Sequence, residues 1–124
     1  MFNLIFYQKS NGRAPVQEFM NDLLKKHKEN EFSQMVSAFD KIKEYGPEVN
    51  SVYHNLIKHL RDDIWELRPG RNRVLFFYWR GNDIVFLHSF QKTSQKTPLN
   101  EIEKAIREKK DYIKQNDVAE VKRK

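Results

Sequence analysis

Two turn sequences, Pro69–Asn72 and Gly81–Asn82, divide residues 64–92 into three short runs rich in aromatic and β-branched side chains. Glycine and asparagine tolerate the left-handed backbone that tight hairpin turns require. The turns therefore predict an antiparallel three-stranded meander. The meander constrains the fold most, because each hairpin turn also decides which side chains share one face of the sheet.

Apolar spacing outside the meander predicts one more strand and three helices. Residues 2–7 have the composition of a strand, while Val16–Leu24 and Phe32–Ile42 carry apolar stripes at helical spacing. The dipeptide Thr97-Pro98 is typical of a helix start and predicts a last helix. Residues 48–63 have no clear periodicity and are predicted to form a loop.

Together these elements predict an α+β domain. We expect an antiparallel sheet of about four strands, an N-terminal helical hairpin and a C-terminal helix, all within a single domain at residues 1–115. A chain of 124 residues with 39% hydrophobic and 13% aromatic residues has enough apolar surface for one core. Residues 116–124 are basic, lack an apolar stripe and are predicted to be a frayed tail.

Several classes of protein are excluded by what the chain lacks. It contains no cysteine, so disulfide scaffolds, iron–sulfur clusters, cysteine-ligated zinc and thiol nucleophiles are excluded. Its longest apolar run, Val74–Trp79, is far shorter than a membrane span, and Met1–Tyr7 is too short for the core of a signal peptide. We therefore expect a cytoplasmic protein without a membrane partner.

The charge balance favours an anionic partner. The formal net charge is +6, and the isoelectric point is near 9.5. Most of the excess lies in residues 51–98, with eight basic residues against four acidic ones. A basic stretch of this kind indicates nucleic acid ahead of a membrane surface.

The predicted register gives the meander two unlike faces. One face is apolar and is expected to lie under the helices. It comprises Trp65, Leu67, Val74, Phe76, Tyr78, Val85 and Leu87. The other face mixes apolar and charged side chains: Ile64, Glu66, Arg68, Arg73, Leu75, Phe77, Phe86, His88, Phe90 and Lys92.

Arg68 and Arg73 are expected to lie directly opposite each other, where two like charges repel and lower stability. In one interpretation both guanidinium groups reach solvent or pair with Glu66 and Asp62. In the other, the row binds a phosphate group, because arginine offers a fork of donors and stays charged. Phe90 then provides a stacking surface for an unpaired base.

Other candidate sites are weaker. His54 and His59 lack partners at metal-ligand spacing, and His27 lies among lysines, so all three are interpreted as surface histidines. We expect no metal and no other cofactor. The absence of a glycine-rich phosphate loop argues against use of nucleoside triphosphates. His88 stays open between a structural histidine and a general base, with Glu66 as its partner.

Four segments carry a resemblance to a known family: Trp65–Arg68, Arg73–Leu75, Leu87–Thr93 and Lys96–Pro98. They resemble the HigB-like branch of the RelE toxin superfamily, the phage-associated group of toxin–antitoxin ribonucleases. The order of elements is similar too, so the resemblance covers about residues 2–115. It implies a RelE-like fold and a toxin of a type II toxin–antitoxin system.

The resemblance also implies an activity and a partner. The resemblance implies a messenger RNA endoribonuclease that needs no metal, usually acts on ribosome-bound transcripts and inhibits translation. Such a toxin is neutralised by a cognate antitoxin, which is often a helix-turn-helix DNA-binding protein. We therefore expect mRNA, the ribosome and such an antitoxin as partners.

By position, the catalytic residues of the family fall on Arg73, Arg68 and Lys92. The arginines suit stabilisation of a charged transition state, but neither can take up a proton. We predict His88, tuned by Glu66, as general base or acid, with Lys92 as the alternative. The predicted RNA-binding residues are Lys96, Phe90 and Arg71.

The chain also departs from the family pattern. RelE itself has lysines where this chain has Ile64 and Glu66, and for the C-terminal tyrosine that RelE uses this chain offers only Tyr112. Two other functions therefore stay open. One is a non-catalytic toxin of the same fold that inhibits a protein such as gyrase, as in the ParE branch; the other is a plain RNA-binding module with the basic face as a phosphate groove.

Overall fold

The computed structural model describes residues 1–123, with side chains described for residues 1–116. The tail predicted at residues 116–124 falls almost wholly outside the described side chains and stays a prediction. In chain order the elements are β1 (Asn3–Phe6), α1 (Pro15–Lys25), α2 (Glu29–Tyr45), a 3-10 helix (Gly46–Ser51), β2 (Ile57–Arg61), β3 (Ile64–Leu67), β4 (Asn72–Trp79), β5 (Asp83–Gln91) and α3 (Leu99–Arg123).

The strands form one mixed sheet in the order β1-β5-β4-β3-β2. β1 runs parallel to β5, and the other neighbours are antiparallel. The α+β class, the helical hairpin of α1 and α2 and the C-terminal helix α3 are confirmed. Among the described residues, no helix combines the length and hydropathy that crossing a bilayer requires.

The predicted loop at residues 48–63 is wrong in part, and the sheet has five strands with one parallel pair instead of about four antiparallel strands. This stretch contains β2, a fifth strand. The Asn50 side chain starts β2, because its amide nitrogen donates to the Ile57 carbonyl oxygen and its oxygen accepts from the Ile57 N–H, both at 2.9 Å. Asn50 thus takes the place of a neighbouring strand, a contact that hydrophobic periodicity does not encode.

β3 pairs with β4 in the register that the Pro69–Asn72 turn predicts. This turn therefore decides which β3 side chains face the same side as Arg73. The pairs are Trp65 with Phe76, Glu66 with Leu75, and Leu67 with Val74.

The β4–β5 hairpin starts one residue out of the predicted register. Trp79, rather than Arg80, opposes Asp83, so the loop Arg80–Asn82 has three residues instead of two. A slip of one residue exchanges the two faces of a strand, since side chains alternate. The side chains of β5 nearest the turn therefore lie on the faces opposite to those predicted.

A β-bulge at Leu87 then restores the predicted register, so that Val74 opposes Ser89. Between the turn and the bulge, Phe86 packs under the helical hairpin, whereas Val85 and Leu87 lie on the opposite face. The face assignments of these three residues were wrong. Beyond the bulge the predicted faces hold.

Both faces of the sheet are buried over much of their area. α1 and α2 cover the face with Val74 and Phe76, and α3 covers the face with Leu75 and Phe77. β4 is accordingly apolar at successive positions instead of alternating. The charged residues on the face with Leu75 and Phe77 lie at the end of the sheet where β4 begins and β5 ends.

Gly46 follows α2 with a positive φ of 55°. A Cβ at this position would overlap the aromatic ring of Phe2. Gly46→Ala adds this overlap to the strain of a left-handed backbone, so we expect the free energy of unfolding to fall by about 3 kcal/mol. Urea denaturation followed by circular dichroism measures the loss.

Gly81→Ala is the matched control for this substitution. Gly81 has a φ of 59°, but a Cβ there would have nothing within 4 Å. Only the strain of the left-handed backbone remains, so we expect the free energy of unfolding to fall by about 1 kcal/mol. Equal losses in the two variants would mean that the contact with Phe2 contributes nothing.

Candidate functional site

Arg68 and Arg73, called the arginine pair below, meet at one carboxylate. Arg68 directly follows β3, and Arg73 lies near the start of β4. Their Nε atoms lie 3.6 and 3.8 Å, respectively, from Oε2 of Glu66. Glu66 is buried, and its charge offsets the repulsion between the two guanidinium groups. The structure therefore contains the ion pairs between the two arginines and Glu66 that one interpretation of the sequence predicted.

Arg73 is held in place by the turn that precedes it. Its Nη1 donates to the carbonyl oxygens of Gly70, at 2.7 Å, and of Asn72, at 2.8 Å. Burial lowers the pKa of Arg73 from its ordinary value, while Glu66 opposes this shift and Arg68 adds to it. Since two buried or half-buried cations share one carboxylate, the pair retains attraction for a second anion.

The loop of residues 92–98 lies beside the arginine pair. The Thr97 hydroxyl donates a hydrogen bond to Oε1 of Glu66, which ties the loop to the carboxylate. A small hollow, the arginine hollow, lies between this loop and the sheet and includes Arg73 in its lining. Lys92 and Lys96 also line it and are exposed, so the loop adds two ammonium groups beside Arg73.

Phe90 opposes Arg73 across the β4–β5 ladder and also lines the arginine hollow. The side chain is half-buried, and its ring centroid lies 6.0 Å from that of His88. Packing therefore fixes one edge of the ring while part of it stays accessible. Its stacking against a base stays a prediction.

Arg71 is exposed in the turn between β3 and β4. With the Gln91 amide oriented so that its oxygen faces Arg71, that oxygen accepts from Nε at 2.6 Å and from Nη2 at 3.0 Å. The Lys92 N–H donates to the Arg71 carbonyl oxygen at 2.8 Å. The turn and the loop are thus joined, and Arg71 lies on the same end of the sheet as Lys92.

Lys58 joins the site although sequence reasoning missed it. The β2–β3 register places Lys58 opposite Glu66. Lys58 lines a second hollow of about 210 Å³, the lysine hollow, together with Glu66, Lys96 and Thr97. The sequence contains a signal for this position. Asp62 and Asp63 lie in a turn between two short strand-like runs, and recognising that hairpin would have predicted which face of the sheet carries Lys58.

His88 lies on the predicted face, but its partners differ from the predicted one. Its side chain is buried, with Nδ1 2.5 Å from Oε1 of Glu108 and Nε2 3.0 Å from Oε1 of Glu101. Both carboxylates belong to α3, seven residues apart and therefore on one face of that helix. The expected partnership with Glu66 is replaced by these two contacts, which engage both ring nitrogens.

Ile64 and Tyr112, at which the chain was compared with RelE above, both lie in the core. The Tyr112 ring packs against Phe77 and Trp79, with centroid distances of 5.9 and 6.1 Å. Ile64 belongs to the same buried cluster. Within the described part of the chain, no group of three or more His, Cys, Asp or Glu side chains is arranged to hold a metal ion.

Taken together, the site combines fixed positive charge with one buried carboxylate. Lys58, Lys92 and Lys96 are exposed around the arginine pair, and Glu66 lines both hollows. An anion such as a phosphodiester gains several charge-assisted hydrogen bonds here. A carboxylate beside a bound phosphodiester is also a group that can accept a proton.

A protein-family model matches the chain. The family is described as phage derived protein Gp49-like (DUF891), and the match covers residues 22–110. The matched range runs from the end of α1 into α3 and contains every residue of the site described above. No curated protein matches the chain.

Proposed function

Because the chain belongs to the Gp49-like family of phage-derived proteins, a RelE-like toxin family, we propose that it is an endoribonuclease toxin of a type II toxin–antitoxin system. Its substrate is messenger RNA on the ribosome, and cleavage requires no metal. The observation that carries the proposal is the meeting of the arginine pair at Glu66, beside a loop with two lysines. We also assign it to the HigB branch.

A partner follows from the family. Membership of a toxin-like family implies an antitoxin. We propose that this antitoxin is a helix-turn-helix DNA-binding protein and that both act in the cytoplasm. An acidic segment of such a protein has a favourable interaction with the cluster of Lys58, Lys92 and Lys96.

The reaction uses the ribose 2′-hydroxyl as nucleophile, which selects RNA over DNA. O2′ attacks the neighbouring phosphorus, the P–O5′ bond breaks, and the products are a 2′,3′-cyclic phosphate and a 5′-hydroxyl. Glu66 takes the proton from O2′, and Lys92 gives a proton to O5′. The arginine pair stabilises the negative charge that develops on the phosphate oxygens.

Glu66 replaces His88 as the proposed proton acceptor. The Glu66 carboxylate lies against both guanidinium groups and lines the arginine hollow. His88 is buried, and its two nitrogens face Glu101 and Glu108. We propose that His88 instead holds α3, and with it the preceding loop, against the sheet.

His88→Ala tests this division of roles. The substitution leaves the buried Glu108 carboxylate without its partner, so we expect the free energy of unfolding to fall by about 3–5 kcal/mol. The exposed His54 is the control, and we expect His54→Ala to change the free energy of unfolding by less than about 0.5 kcal/mol. Chemical denaturation measures both variants.

The same variant distinguishes a structural histidine from a catalytic one. At a temperature where His88→Ala remains folded, we expect the rate of RNA cleavage to stay within a few-fold of the wild-type rate. A loss on the order of 10²–10⁴ with little change in stability would make His88 the proton-transfer group.

Induction of the wild-type protein in cells, followed by primer extension on defined transcripts, tests the proposed function. New 5′ ends within coding regions are expected. Intact transcripts with blocked replication would instead support a toxin that acts on a protein target such as gyrase. Tight, salt-dependent RNA binding without cleavage, with or without ribosomes, would support a plain RNA-binding module.

A further inference from the structure

A groove of mixed polar and apolar lining lies between α2 and the turn that joins β3 to β4. Its volume is about 400 Å³. One wall is the face of α2 with Asn30, Ser33, Gln34 and Ser37, and the other wall includes Arg68 and Gly70. This groove, called the α2 groove below, is separate from the arginine hollow and the lysine hollow but shares Arg68 with the arginine pair.

The α2 wall differs from an ordinary solvated helix face. Charged residues make up 32% of the chain. The other exposed positions of α2 are mostly charged, whereas the four exposed positions in the groove all carry uncharged amides or hydroxyls. The lining includes no carboxylate, and its second cation, Lys41, lies over the Tyr53 ring at 4.6 Å. The groove therefore combines neutral hydrogen-bonding groups with the apolar residues Ala38, Leu56 and Pro69, and it has Arg68 at one side.

Backbone contacts connect the α2 groove to the arginine pair. The side-chain amide of Gln34 lies against Gly70, where a Cβ would overlap it. The Gly70 carbonyl oxygen in turn accepts the hydrogen bond from Nη1 of Arg73 at 2.7 Å. Arg68 completes the connection, because it lines the groove and lies 3.6 Å from Glu66. The α2 groove and the arginine pair are therefore joined through Arg68 and Gly70.

We propose that the α2 groove is a nucleoside-binding subsite for single-stranded RNA. The inference rests on the proposed function, in which the arginine pair holds the RNA backbone. Amide side chains offer a donor and an acceptor to the edge of an unstacked base, which is how single-stranded RNA is read. Gln34 and Asn30 read the base, Ser33 and Ser37 contribute hydroxyls, and Arg68 holds the adjoining phosphate.

Ser37→Glu tests the subsite by placing a negative charge in the groove. The probe is a fluorescent, mixed-sequence RNA decamer with 2′-O-methyl riboses, which cannot be cleaved by this chemistry. Repulsion of the RNA backbone is expected to raise its dissociation constant roughly tenfold in fluorescence anisotropy. Gln17→Glu, the same change at an exposed position of α1, is expected to leave the constant within twofold.

Gln34→Ala tests base reading by a second measurement. Primer extension after induction is expected to give new 5′ ends at a different set of positions from those of the wild type. Unchanged decamer binding by Ser37→Glu together with an unchanged cleavage map for Gln34→Ala would overturn the subsite, while the wild-type map would still support the ribonuclease. Weakened binding by Ser37→Glu with no cleavage by the wild type would support the subsite and overturn the ribonuclease.

Discussion

Arg73→Ala is expected to lower the rate of RNA cleavage by a factor on the order of 10² or more, as for loss of one donor to a charged transition state. Arg73 lines the arginine hollow and lies 3.8 Å from Glu66, so its guanidinium is fixed where the charge of the phosphate develops. Mapping of 5′ ends and single-turnover cleavage of a defined transcript bound to ribosomes measure the loss.

The structure adds a stability cost to this variant. Nη1 of Arg73 binds the carbonyl oxygens of Gly70 and Asn72, so removing the side chain also loosens the turn before β4. The measurement therefore belongs at a temperature where circular dichroism shows the variant folded. Arg107→Ala, at an exposed position of α3, removes the same charge without touching the site. A folded Arg73→Ala that cleaves at the wild-type rate would refute the role of the arginine pair.

Glu66→Gln is expected to move RNA binding and RNA cleavage in opposite directions. The amide removes the negative charge that competes with RNA phosphate for the arginine pair, so binding of the uncleavable decamer tightens. The amide cannot take a proton from O2′, so the cleavage rate falls by a factor on the order of 10²–10⁴. With one protein preparation, fluorescence anisotropy gives the affinity for the decamer, and single-turnover cleavage of a ribosome-bound transcript gives the rate.

Two comparisons make the Glu66 result specific. Glutamine still accepts the hydrogen bond from Thr97, so the loop of residues 92–98 keeps its contact with β3. Glu103→Gln removes a carboxylate from an exposed position of α3 and is expected to change neither binding nor cleavage. If Glu66→Gln bound RNA more tightly and also cleaved it faster, Glu66 would be a counter-ion only.

The most informative local sequence in this chain is the turn before β4. Pro69–Asn72 correctly indicated the pairing of Glu66 with Leu75 and so the common face of Glu66 and Arg73. The second turn was less decisive, because its glycine fits loops of two or three residues. The resulting slip moved Phe86, and only the bulge at Leu87 returned His88 and Phe90 to the predicted face.

The features that the sequence did not predict depend on contacts between residues far apart in the chain. β2 has one fully buried side chain, Ile57, and its start is set by the Asn50 amide, so it lacks the alternation that marks a strand. Lys58 therefore had no predicted face. His88 was paired with Glu66 because both lie in the meander, whereas its partners Glu101 and Glu108 come from a helix whose docking the meander does not specify.

By itself, the sequence determined the class of the fold, the helical hairpin, the β3–β4 register and the face shared by Glu66 and Arg73. These features depend on turn chemistry and apolar spacing, which act within a few residues. The tertiary structure alone decided the fifth strand, the face of Lys58, the burial of His88 beneath α3 and the α2 groove. Each of these results from packing between elements far apart in the chain, where burial and hydrogen-bond satisfaction of the whole domain select the contact.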